Sequence, residues 1–202
     1  MKYRTAIYID GFNLYHSLRP DQRWLDLRRM VNAFCTRSDL VVKIKYFTAY
    51  CSWDANKATR HRILTGIYQD MGIEIVLGKF KKITRHCRMP VLGCSGAYQT
   101  HEEKQTDVNV AMHLLNDAWL NLYDRAYIIS GDTDLLPPIR MIKKQFPEKL
   151  LSVVFPPNKK ADEVKAVCNT IKMKSRQIYE SLLPDPYTAS DGAVFYAPKG
   201  WI

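Results

Sequence analysis

Short β-branched runs alternate along this chain with longer stretches whose apolar residues recur at helical spacing, and no other feature constrains the fold as tightly. Thr5–Ile9, Val41–Tyr50, Ile73–Leu77, Ala126–Ser130 and Leu150–Phe155 read as strands. Helices are expected over Phe12–Leu18, over Leu25–Phe34, from a cap at Ser52 or Asp54 to Gly72, over Asp107–Leu122 and over Leu135–Phe146. Repeated strand–helix units imply an α/β fold with a central, mainly parallel five-stranded sheet flanked by helices. Short helices are expected at Ala161–Cys168 and Ser175–Leu183, which would close a single domain at 1–183. The remaining 184–202 has no periodicity, but Tyr187, Phe195, Tyr196 and Trp201 suit a tail that docks.

The segment from about 78 to 104 breaks the pattern. It is rich in Lys, Arg, Cys, His and Gly, and reads as a long functional loop or small insertion. Lys79, Lys81, Lys82, Arg85 and Arg88 fall within it without an intervening acid, and form a stripe beside the sheet edge if strand three runs on through Ile83. Cys87, Cys94 and His101, with Cys51 or His86 as a fourth ligand, offer Zn²⁺ a soft donor set. Six residues separate Cys87 from Cys94, wider than a zinc knuckle, and ordinary reduced thiols are the stronger reading.

Thirty Lys and Arg against twenty Asp and Glu leave a net charge of +10, which suits a polyanionic partner, the alternative being a merely soluble basic protein. The five cysteines form no dense framework, and the apolar run after Lys2 and Arg4 is stopped by Asp10. A reducing, cytoplasmic setting with no membrane segment is the expectation.

The acids are placed tellingly. Asp10 ends the first strand, Asp132 and Asp134 follow the fourth, and Asp107 opens the helix that feeds the fourth. Parallel sheets bind ligands outside their carboxyl ends at the topological switch point, so these carboxylates from distant sequence are expected in one crevice. Unneutralised, they would repel. Hard oxygen donors suit Mg²⁺ or Mn²⁺, and such an ion beside a basic surface points to phosphodiester hydrolysis. Asn13, Ser130 and Thr133 are placed to orient a water or a phosphate, and Tyr15, Tyr46 or Phe80 to stack on unpaired bases. The bland role for any single one of these aspartates is helix capping. Competing phosphate chemistries lack their marks: Asp10 has no partner acid two residues on, and no Gly-x4-Gly-Lys-Ser/Thr run exists.

Three blocks, Ile9-Asp10-Gly11-Phe12-Asn13-Leu14-Tyr15, Glu103-Lys104-Gln105-Thr106-Asp107-Val108 and Ile129-Ser130-Gly131-Asp132-Thr133-Asp134-Leu135, closely resemble the signature blocks of the NYN domain family. That family is a branch of the PIN-like nucleases, and the likeness is greatest to its LabA-like members over about residues 3 to 157. The resemblance implies a Rossmann-like PIN fold and a metal-dependent ribonuclease, with metal-binding acids on Asp10, Asp107, Asp132 and Asp134 and Asn13 as the neighbour in the first block. RNA is then the expected partner, and a homodimer is compatible with the family. The alternative from another class is a catalytically weak RNA-binding or regulatory module that keeps the fold.

Overall fold

The computed structural model describes residues 2–86 and 96–201. Six strands form the main sheet: β1 (Tyr3–Asp10), β2 (Asp39–Thr48), β3 (Glu74–Leu77), β6 (Arg125–Ile129), β7 (Leu150–Phe155) and β8 (Asn169–Lys172). All pairings within it are parallel, in the order β3-β2-β1-β6-β7-β8. Chain order runs outward from β1 in one direction and from β6 in the other. The switch point therefore lies between β1 and β6, where Ile9 pairs with Ile129.

The sheet is apolar on both faces, as a parallel sheet sandwiched by helices must be. Ile7 and Ile9 face one core with Trp24, Met30, Tyr46 and Ile67, under α1 (Gly11–Ser17), α2 (Leu27–Asn32) and α3 (Ala55–Asp70). Ala6 and Tyr8 face the other, with Val110 and Leu114 of α4 (Thr106–Trp119) and Leu136 and Ile139 of α5 (Leu136–Gln145). Within that second core, the Lys45 ammonium on β2 lies 2.8 Å from the Asp117 carboxylate on α4, and both side chains are almost fully buried. Tyr8 Oη–H donates to the same carboxylate at 2.7 Å, so the pair is hydrogen-bonded as well as charge-matched.

Three expectations need correction. The sheet has six strands, not five, because Asn169–Lys172 adds a parallel edge strand beside β7. The helix expected at Ala161–Cys168 shortens to α6 (Asp162–Lys165), and that expected at Ser175–Leu183 shortens to α7 (Ser175–Tyr179). The edge strand escapes a periodicity reading because only four residues pair, and two of them are exposed. The described parts of the irregular segment, in turn, form an antiparallel two-stranded ribbon of their own, β4 (Lys79–His86) against β5 (Ala97–Lys104).

The C-terminal segment packs on the first core. Trp24 Nε1–H donates to the Pro184 carbonyl at 2.9 Å, Tyr187 Oη–H donates to Asp70 at 2.6 Å, and Trp201 is buried against Tyr15. A small hairpin of β9 (Tyr187–Thr188) and β10 (Val194–Phe195) lies between these anchors. Among the described residues no helix is long and apolar enough to cross a membrane.

Candidate active site

The first loop at the switch point leaves β1 through Asp10 and turns at once into α1. A Cβ on Gly11 would stand 2.4 Å from Tyr46 Cζ and 2.7 Å from the Phe47 carbonyl oxygen, so only glycine lets the helix start this close to β2. Asp10 is 3% exposed, and both of its oxygens are engaged. Oδ1 accepts from the Asn13 amide at 2.9 Å and Oδ2 from Ser130 Oγ–H at 2.9 Å. The capping role and the crevice position thus coexist in one residue. Asn13 Oδ1 accepts the Gly131 amide at 3.0 Å, and Ser130 Oγ accepts the Asp132 amide at 3.0 Å, so the two loops are stitched together across the switch point.

Asp132 begins the second loop and accepts the Asp134 amide at 2.9 Å, within a 3-10 turn over Thr133–Leu135. Asp107 arrives from the other side, in the first turn of α4. That helix starts at the carboxyl edge because Gly78 packs directly under Thr106, where a Cβ would lie 2.6 Å from Thr106 Oγ1. Gln105, which precedes the helix, adopts φ 79°, a left-handed conformation that an ordinary side chain takes at a cost.

Asp107, Asp132 and Asp134 each offer a carboxylate oxygen within 4.8 Å of the others, the one such group among the described residues. Asp10 lies behind this trio. It stands outside the shared-ligand distance, although its charge interacts with both Asp107 and Asp132. Of the four acids the sequence offers as metal ligands, the structure brings Asp107, Asp132 and Asp134 together and buries Asp10.

Repulsion and burial are visible in proton affinity. Burial, with smaller contributions from Asp107 and Asp132, pushes the Asp10 carboxyl up to about 6 against the pull of its two hydrogen bonds. Asp107 is raised too, by desolvation and by Asp132 and Asp134. Glu103, near the end of β5, is pushed to about 7 by burial and by Asp10 and Asp107, and it accepts a hydrogen bond from the Thr106 hydroxyl. It is an acid of this crevice to which the sequence reading gave no role. Its signal was its place in the second signature block, masked there by the charged run Glu102-Glu103-Lys104.

Among the described residues, no Lys or Arg forms an ion pair with Asp10, Glu103, Asp107, Asp132 or Asp134. Lys159 packs its stem against Gly131 of the second acidic loop without pairing to an acid, and an all-oxygen, acid-only donor set with no ion-paired base fits a hard divalent cation.

The basic residues are divided by the ribbon. Phe80 lies opposite Glu103 and Lys82 opposite His101, so these four share one face, the one that includes the crevice acid. Lys79, Lys81 and Arg85 stand on the other face, where Arg85 and Lys104 both pair with Glu102, at 2.9 Å and 2.6 Å. Arg88 lies outside the described residues, as do Cys87 and Cys94. His101, the remaining candidate zinc ligand, lies flat on Trp53 with ring centroids 3.6 Å apart. Of the aromatics expected to stack on bases, Tyr46 is 4% exposed and belongs to the core, while Phe80 stands edge-on to Trp53.

The NYN domain model matches residues 4–174. A 6-hydroxy-3-succinoylpyridine 3-monooxygenase of Pseudomonas putida is 30% identical over 180 residues, and the match spans 69% of this chain but only 55% of that protein. A solved protein of unknown function from Vibrio parahaemolyticus superposes with TM-score 0.52 at 22% identity, over 86% of this chain and 94% of the other, and so shares the fold. A family match across nearly the whole sheet, with the three acid-bearing blocks meeting at its switch point, leads to one assignment: the chain belongs to the NYN domain family, within the PIN-like nuclease superfamily.

Proposed function

We propose that this protein is a metal-dependent ribonuclease that hydrolyses phosphodiester bonds within RNA at the β1–β6 switch point. The observation that carries the reading is the trio Asp107, Asp132 and Asp134, whose oxygens come within 4.8 Å of one another and which, among the described residues, form no ion pair with a Lys or Arg. These three residues would hold Mg²⁺ or Mn²⁺, which when bound supplies Lewis-acid polarisation of the phosphate and a more acidic water.

The rest of the work falls to the chain itself. Ser130 and the Asn13 amide hold Asp10 in place, and Asp10 supports the trio from behind as buried negative charge. The Asn13–Gly131 and Ser130–Asp132 hydrogen bonds fix the spacing of the two acidic loops, which is preorganisation supplied before substrate arrives. Lys82, which shares its ribbon face with Glu103, would contact the phosphate backbone. Lys79, Lys81 and Arg85 would act as a second basic surface, on the other face of the ribbon, that raises RNA affinity without positioning the reacting phosphate.

The hydroxylation named for the Pseudomonas relative belongs to a protein of which this chain matches about half the length. The acidic crevice here supports phosphate chemistry instead. Asp132→Asn should abolish cleavage of single-stranded RNA in Mn²⁺ while RNA affinity and thermal stability stay near those of the parent. Equal cleavage by the variant would reject the assignment. Binding of several RNAs without cleavage in either Mg²⁺ or Mn²⁺ would favour the RNA-binding or regulatory module.

A further inference from the structure

A cavity of about 300 Å³ opens beside the acidic crevice, at the size where small-molecule sites begin. It shares Gly11 with the first acidic loop, and the Tyr46 ring that touches Gly11 also forms part of its wall. The buried side is apolar: Tyr46, Leu64 and Trp201. On the open side stand two large aromatics that folding leaves uncovered, Phe12 at 38% and Trp53 at 44% exposure. Trp53 is braced in its orientation by His101 flat against it and by Phe80 edge-on at 4.8 Å.

Among the described residues, the formally charged side chains that line the cavity are both basic, Lys57 and Arg60 from α3; Asp54, which caps that helix, lies outside the lining but 3.4 Å from Lys57 Nζ. His61 is held neutral, since burial pulls its imidazole down to about 4, and it shares a 3.0 Å hydrogen bond with Thr48 Oγ1. Flat aromatic surface, hydrogen-bonding groups at depth and two cations at the entrance match a planar heteroaromatic ring bearing a phosphate.

We infer that this cavity receives one unstacked nucleobase of the RNA strand being cut, with the phosphate attached to that nucleotide held by Lys57 and Arg60. The inference rests on the ribonuclease reading for its substrate class. The geometry favours a strand over a duplex, because a base must leave its stack to enter the cavity while a neighbouring phosphate remains within reach of the acidic loop that begins one residue before Gly11.

The test is binding measured without divalent metal, so that cleavage plays no part. The probes are a fluorescein-labelled single-stranded RNA hexamer, the same ribose-phosphate backbone with its bases removed, and a blunt duplex of the same sequence, read by anisotropy. Removing the bases should weaken binding to the parent protein by about ten-fold or more, the range of stacking losses measured by alanine substitution. Trp53→Ala should weaken hexamer binding by a similar factor and leave the base-free strand unaffected. Phe12→Ala should act in the same direction, and melting curves on both variants check that the fold is intact. Equal affinity for the hexamer and the base-free strand, equal loss for both strands in Trp53→Ala, or a duplex bound as tightly as the single strand would overturn the inference. A base-dependent, Trp53-dependent affinity in a protein that cleaves no RNA would uphold the cavity and reject the ribonuclease reading. Cleavage with no base or Trp53 dependence would do the reverse.

Discussion

Replacing Asp10 with asparagine should stabilise the metal-free protein at neutral pH. The folded environment raises this carboxyl from 3.8 to about 6, with burial as the main cause. At about 1.4 kcal/mol per tenfold change in proton affinity, ionising it in the folded chain costs about 3 kcal/mol by pH 7. The folded state binds more protons than the unfolded one between those two values, so stability contributed here is present below about pH 4 and is lost as pH rises through 6. Asparagine keeps the neutral form at every pH. Its oxygen can accept the Asn13 amide, and its NH₂ can donate to Ser130 Oγ once that hydroxyl turns its proton away. In EDTA at pH 7 the variant should melt roughly 6–12 °C above the parent, given about 2–4 °C per kcal/mol in a chain of this size. The gap should close by pH 4. Asp107 and Glu103 are raised by the same surroundings, so the variant should keep part of the parent's pH slope. Scanning calorimetry across pH 4 to 8 reads all of this. An Asp10→Asn protein that melts lower than the parent at pH 7, by an amount unchanged at pH 4, would show that buried negative charge is not the strain described.

Other perturbations probe the scaffold. Asp117→Ala leaves the Lys45 ammonium buried beside Tyr8 without its carboxylate and should cost about 3–5 kcal/mol by urea titration. The same pair gives an acid limb: hydrogen bonds and the Lys45 charge outweigh burial and hold the Asp117 carboxyl below its usual range, so stability present above pH 4 should fall as pH drops further, and Asp117→Ala should flatten that limb. Gly11→Ala drives a methyl into Tyr46 and the Phe47 carbonyl and should cost about 1–3 kcal/mol, with cleavage lost alongside because the first acidic loop must move. Gln105→Gly relieves the left-handed residue ahead of α4 and should raise stability by up to about 1 kcal/mol; a fall of that size would mean the Gln105 side chain makes a contact that matters.

The strands at the centre of the sheet were legible because both faces are buried. Leu150–Phe155 has the bounds its apolar run suggested, and β1 and β6 differ from expectation by a residue or two, because β1 already pairs with β2 at Tyr3 and β6 already pairs with β1 at the charged Arg125. The six-residue α2 is shorter than its apolar spacing implied, since Asp26 caps it from within the expected helix and Leu25 instead bridges to Leu182. Asp132 and Asp134 could be placed from sequence because a parallel strand ending in a short polar loop leaves little freedom for where that loop goes. Asp107 could be placed because crossover helices start at the same edge. Glu103 and the split of the basic stripe could not, since which side a ribbon residue faces depends on register with a partner strand more than ten residues away. The burial of Asp10 was equally hidden: a terminal strand residue reads as exposed until Ser130 and Asn13 are seen closing over it. The Trp53–His101 stack joins residues 48 positions apart and has no local signature.

The claim beneath all of this is that one divalent ion is shared by Asp107, Asp132 and Asp134. Anomalous diffraction from a crystal soaked in Mn²⁺ tests it without a substrate. The account predicts a single strong peak bonded to oxygens of at least those three side chains, about 2.1 Å from each, and its disappearance in Asp132→Asn. A peak bound elsewhere, or a trio whose carboxylates stay apart at saturating Mn²⁺, would contradict it.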